Sequence, residues 1–154
     1  MTSSNPTQKL LKEIGFTLLS EGKTIKVRAE GYSMYPSIRP GSVILIEPLE
    51  NDEIPLKGEI IAWKRDSGLV VHRITGIIEN DGKHFFITRG DSSLTYDETV
   101  PNESVAGRVV GIEDAHGRQI SPETYLVRRN AYWLNRFRLK AVLHLKKFQR
   151  IIGR

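Results

Sequence analysis

The chain of 154 residues has no cysteine. Disulfides, thiolate zinc sites and cysteine nucleophiles are therefore excluded together, although the absence fits any compartment and selects none. No stretch approaches the ~18–20 uninterrupted apolar residues that a membrane-crossing helix requires. The N-terminal run "MTSSNPTQKLLKEIGFTLLSEGK" has no basic segment leading into a long apolar one, so it does not read as a signal peptide. On these signals alone the protein stays in the cytoplasm, and its only route to a membrane is peripheral. GxGxxG, P-loop and HExxH motifs are missing, and His84, His116 and His144 have no companions at metal-ligand spacing. No cofactor and no metal is implied. Acid is missing from one end: Thr124 to Arg154 holds nine Lys or Arg and no Asp or Glu. Residues 1–123 carry 14 bases against 18 acids, so a mildly acidic body precedes a strongly basic tail. The pI of 9.6 describes that tail.

An apolar fraction of 39% and a mean hydropathy of -0.32 describe a water-compatible globular chain of one domain's length. Residues 7–21 place Leu10, Leu11, Ile14, Leu18 and Leu19 on one helical stripe, stopped by Gly22. From Thr24 the rhythm changes to strands. "TIKVRAE" alternates, and "SVILIEP" reads as a continuous buried run. "EIIAWKR", "LVVHRITGII", "HFFITRG" and "SVAGRVVGI" follow, separated by Pro and Gly turns. Asp81-Gly82 supplies the positive φ angles of a tight hairpin between two of these runs. Pro122 opens a last helical segment on which Leu126, Trp133, Leu134, Phe137, Ala141, Leu145, Phe148 and Ile152 recur at helical spacing. The expectation is a mainly β fold in one domain: an N-terminal amphipathic helix (1–22), a β core (23–121) and a basic amphipathic C-terminal helix (122–154).

"GYSMYPSIRPGSVILIEP" sets Ser33 in a polar turn ahead of strand material. A serine hydroxyl is a poor nucleophile until a base takes its proton, so Ser33 means little by itself. His72 lies inside "LVVHRI", where alternation puts Val70, His72 and Ile74 on one face and Val71 and Arg73 on the other. A lone histidine on an apolar face is ordinarily a core imidazole with one hydrogen bond. "ITRGDSSLTYDE" offers Asp91 and Asp97, which serve equally as turn and surface residues or as a carboxylate orienting an imidazole.

Taken in order, "GYSMYPSIRPGSVILIEP", "LKGEIIAWKR", "VVHRITGI", "ITRGDSS" with Asp97, and "VAGRVVGI" resemble the boxes of the type I signal peptidases, from Gly31 to Ile112. The resemblance implies a β domain of small twisted barrel or sheets. It also implies a serine endopeptidase that removes a leader or propeptide from a peptide or protein precursor. Bacterial members and the self-cleaving SOS-type repressors carry a lysine where this chain has His72. The archaeal and endoplasmic-reticulum members carry histidine, and this chain is similar to that Ser-His kind. Ser33 is then the nucleophile and His72 the general base, with Asp97 as the favoured orienting acid and Asp91 structural or assisting. Lys64 is a base only under a different strand register. The oxyanion hole would rely on backbone N–H groups, Ser33's first, with Gly31 allowing close approach. Small substrate side chains would fill shallow pockets near Met34 and Ile38. A histidine base predicts activity falling below about pH 6 to 7.

Gly41-Ser42 and Gly58-Glu59 stand where the family usually has Gly-Asp, and the family's membrane anchor has no counterpart among these 154 residues. The basic C-terminal helix offers an anionic membrane surface or a protein partner a docking face, or else packs its stripe on the β core. Nine charges also attract phosphates, but no specific nucleic-acid recognition motif accompanies them. Two other functions compete with the peptidase: a self-cleaving regulator and a catalytically silent binding module. The first needs an Ala-Gly or Cys-Gly dipeptide ahead of Ser33, and none occurs in the 32 residues there.

Overall fold

A computed structural model describes residues 6–50, 53–65, 68–122 and 131–152. Helix α1 (Pro6–Ser20) precedes strands β1 (Ile25–Arg28), β2 (Val43–Glu47), β3 (Ile60–Arg65), β4 (Gly68–Asn80), β5 (Lys83–Arg89) and β6 (Val100–Pro101). A single 3₁₀ turn, Asn102–Ser104, leads into β7 (Val105–Glu113), β8 (Gln119–Ile120) and helix α2 (Ala131–Ile152). The expected C-terminal helix thus begins, as far as it is described, at Ala131. Leu126, Arg128 and Arg129 lie outside the described residues, as do the side chains of Leu10, Leu11, Phe148 and Ile152. No helix among the described residues is long and apolar enough to cross a membrane.

All eight strands join one antiparallel sheet in the order β1-β2-β7-β3-β4-β5-β6, with β8 folded back on the end of β7. β1 and β6 each pair with one neighbour and not with each other, so the sheet stays open instead of closing into a barrel. The mainly β reading holds, and so does the hairpin. Asp81 and Gly82 turn with φ of 51° and 71°, joining β4 to β5 from Asn80↔Lys83 onward.

Which strand is buried on both faces differs from the expectation. β2 alternates, with Ile44 and Ile46 inside and Val43 and Leu45 half-buried. β3 is the doubly covered strand. Ile60 and Ala62 join one apolar cluster with Leu19, Ile25, Met34, Ile38, Ile46 and Ile112, whereas Ile61 and Trp63 join a second with Ile74, Phe86 and Val100. An internal strand with cores on both sides needs an unbroken apolar run, and "IIAW" supplies it. Phe16, Leu18 and Leu19 seat α1 on the first cluster.

The β7–β8 hairpin is closed by Asp114. Its carboxylate accepts the backbone N–H groups of Arg118 and His116 and the Arg118 guanidinium. The backbone bond from Arg118, followed by these other donors, outweighs desolvation and lowers the Asp114 pKa from the ordinary 3.8 to about 2. A depressed carboxylate stabilises the fold above its unfolded pKa, and that contribution is lost as pH falls through about 2. Carboxyl-detected NMR titration should find the Asp114 midpoint near 2; an ordinary carboxylate midpoint would refute the assignment.

Candidate active site

The stretch between β1 and β2 is a compact loop closed at its base by backbone bonds, Ala29 N–H to Ser42 O at 2.8 Å and Gly41 N–H to Ala29 O at 2.7 Å. Within it Ile38 N–H reaches Met34 O at 2.9 Å, a single helical turn that drives both side chains into the first apolar cluster. Met34 and Ile38 therefore anchor the loop, while Ser33 beside them stays exposed. Gly31, Ser33, Met34 and Ile38 all line a cleft of about 670 Å³. Its opposite wall is β4, through Val70, Val71 and His72, and α1 contributes Ile14 and Leu18. The curl of the sheet thus brings β1 and β4, at positions one and five in strand order, to either side of one opening.

His72 and Asp97 are brought together. Nδ1–H of His72 donates to Asp97 Oδ2 at 2.5 Å, and both side chains are largely buried. An ionised carboxylate only accepts, so this bond leaves the lone pair on Nε2. Thr88 fixes the carboxylate from β5: its hydroxyl donates to the same Oδ2 at 2.8 Å, and its carbonyl accepts Asp97 N–H at 2.9 Å. Two of the three groups Ser33, His72 and Asp97 thus meet each other, and His72 lines the cleft. The third, Ser33, lines the same cleft, and no hydrogen bond joins it to His72 among the described residues. Lys64 is elsewhere: its ammonium sits over the Phe16 ring at 4.8 Å, and it does not line the cleft.

Asp91 meets a different partner. Arg73, the residue after His72, grips it with two parallel bonds, Nε–H to Oδ1 and Nη2–H to Oδ2, each 2.8 Å. Such a bidentate fork is the strong form of the carboxylate–guanidinium pair. Ser37 Oγ–H also donates to Asp91 Oδ2, and Arg73 reaches Ser37 Oγ at 3.2 Å and Gly58 O at 2.8 Å. Asn135 of α2 donates to Asp91 O at 3.0 Å. This fully buried cluster joins the Ser33 loop, β4, the turn before β3, and α2. Asp91 therefore bonds Arg73, Ser37 and Asn135, and no hydrogen bond joins it to the His72 imidazole among the described residues.

Ser92 completes the clamp. Its N–H donates to Ser33 O at 2.9 Å, and its hydroxyl donates to Tyr32 O at 2.7 Å. Gly90 permits this approach, because a Cβ there would stand 2.6 Å from Ser33 O. Gly90→Ala must push the Ser33 peptide away. We expect a loss of about 1–3 kcal/mol, as for overpacking; a thermal melt at the wild-type value would contradict this. The sequence assigns no role to Ser37, Thr88 or Ser92, and gives Arg73 only a strand face. Only "GDSS" carried a signal, and it reads equally as turn chemistry.

No protein-family model matches the chain. It is 31% identical over 94 residues to Signal peptidase I W of Bacillus subtilis (strain 168). A type I signal peptidase relationship is supported. The match takes in 60% of this chain and 49% of that protein, so the chain spans about half the length of the signal peptidase it matches.

Proposed function

We propose that the chain is a serine endopeptidase of signal peptidase type that removes a leader or propeptide from a peptide or protein precursor. Its base belongs to the Ser-His kind. The observation that carries this reading is that His72, bonded to Asp97, lines the cleft that Ser33 also lines. Ser33 Oγ attacks the scissile carbonyl and passes its proton to His72 Nε2. The tetrahedral oxyanion is met by backbone N–H groups, that of Ser33 first, with Gly31 leaving room. On collapse the C–N bond breaks, His72 protonates the leaving amine, and an acyl-Ser33 ester remains. Water, deprotonated by His72, then hydrolyses the ester and regenerates both groups. Asp97 holds the imidazole in the tautomer this sequence needs and balances its charge in between.

Substrate enters as an extended segment between β1 and β4, with small side chains toward Met34 and Ile38. Lys26, Arg28 and Arg65 line the same cleft, so its rim is richer in cations than in acids. The position of Lys64 over Phe16 supports histidine over lysine as the base.

The test is incubation of the purified chain with a panel of peptides carrying small residues at spaced positions, with products read by mass spectrometry. Site-specific cleavage that Ser33→Ala removes supports the reading. Full activity in Ser33→Ala, or no product from any peptide, overturns it.

A further inference from the structure

Helix α2 is amphipathic twice over. Tyr132, Asn135 and Leu139, spaced three and four residues apart, are buried against the β body. Tyr132 lays its ring 3.2 Å from the Arg89 guanidinium, which is flanked on its other contact by Tyr96 at 4.4 Å. Asn135 holds Asp91 O, and Lys146 donates to the Tyr32 hydroxyl at 3.2 Å. The helix is thus fastened by its inner face to the Ser33 loop and to the end of β5 with the loop that follows it.

Its outer face is apolar as well. Trp133, Leu134, Phe137, Ala141 and Leu145 lie roughly 100° per residue apart, on the stripe opposite Tyr132 and Leu139, and all are exposed. Trp133 is 66% exposed and Phe137 61%, and their rings stack with centroids 6.1 Å apart. Arg136, Lys140 and Lys147 run along one flank of this stripe and Arg138 along the other; His144 alone interrupts it. No acid occurs from Thr124 onward.

We propose that α2 lies in the surface of an anionic bilayer, its Trp133–Phe137 stripe among the acyl chains and its flanking bases among the headgroups, so that the Ser33 cleft is held at the membrane. Lys and Arg stems beside an apolar stripe can cover it while their charges reach outward, which is the arrangement an interfacial helix needs. The 22 residues of α2 span about 33 Å lying flat. A second copy of this face would bring rows of like charge together. Nucleic acid would satisfy the bases but leave the aromatic stripe in water.

This inference does not depend on the peptidase reading, and its test does not use cleavage. Trp63 is only 6% exposed, so an emission change on adding vesicles reports Trp133. Vesicles of phosphatidylcholine with about 30% phosphatidylglycerol should shift that emission to the blue and float the full chain, at least about tenfold more strongly than phosphatidylcholine alone. Phe137→Ser should abolish flotation. Arg136→Gln and Lys140→Gln should each weaken it roughly fivefold, and added salt should act in the same direction. Phe137 is exposed, so Phe137→Ser should keep the wild-type melting curve. The proposal is overturned by an absence of binding to either vesicle, or by flotation that Phe137→Ser leaves intact. Equally decisive against it are a dimer in solution that Phe137→Ser dissolves in place of lipid binding, and binding to duplex DNA without binding to vesicles.

Discussion

Ser33→Ala and His72→Ala are each expected to slow peptide cleavage by at least about 10³-fold, and the double variant should fall no further. Nucleophile and base act as one unit, so removing either leaves the other idle. What remains is whatever the cleft and the backbone donors supply without covalent chemistry. Losses that multiply in the double variant would mean that Ser33 and His72 act separately, and the mechanism would then be wrong. Ser33 is exposed, so Ser33→Ala should keep the wild-type melting temperature, whereas His72→Ala leaves the largely buried Asp97 with Thr88 as its remaining side-chain partner among the described residues and should lower it. KM should change little, because neither side chain anchors the loop. Asp97→Asn tests the third member. It keeps the Thr88 contact but no longer holds the imidazole tautomer or balances its charge. We expect it to be roughly 10- to 100-fold more active than His72→Ala, in line with the smaller effect of orienting acids elsewhere. Lys64→Ala should leave turnover near wild type, since its ammonium rests on Phe16 away from the cleft.

Where local chemistry dictates structure, the sequence was readable. Asp81-Gly82 announces its turn because few other pairs adopt two successive positive φ angles, and the flanking runs are long enough to show strand character. β6 and β8, two residues each, are too short to show any period. "VILI" and "IIAW" look alike as strings. Only their positions in the sheet make one half-covered and the other buried on both sides. The site divides in the same way. Ser33, His72, Asp91 and Asp97 could be named because they are reactive residue types in ordered boxes. The family resemblance favours Asp97 for His72, but the residues alone name no partner for Asp91, because Asp97 and Asp91 both follow one strand and His72 and Arg73 are adjacent on another. Strand alternation sends His72 and Arg73 to opposite faces, and the loop after β5 delivers one acid to each. Helix α2 shows the same limit. Its apolar residues recur all round, and only the burial of Tyr132 and Leu139 reveals that a second stripe is left over.

Arg73→Leu is expected to be the most damaging change to the fold. Arg73 and Asp91 are both essentially inaccessible, and removing the guanidinium strands a carboxylate that, among the described residues, retains only Ser37 as a side-chain partner. Breaking one side of such a buried pair costs about 3–5 kcal/mol, because the surviving charge has neither water nor counter-ion. For a chain of this size that amounts to a melting-temperature drop on the order of 10 °C. The pair itself need not be strongly stabilising, since two apolar residues of similar volume often serve as well. Arg73→Met combined with Asp91→Leu should therefore recover most of the lost stability. It should not recover turnover. Ser37 would lose both of its partners, Gly58 O its donor, and the Ser33 loop its tie to the strand that carries His72. A stable double variant with low kcat and a KM near wild type would identify the cluster as the device that positions Ser33 against His72. If turnover instead returned with stability, the cluster would be a packing element only, and the loop clamp of Gly90 and Ser92 would have to position Ser33 alone.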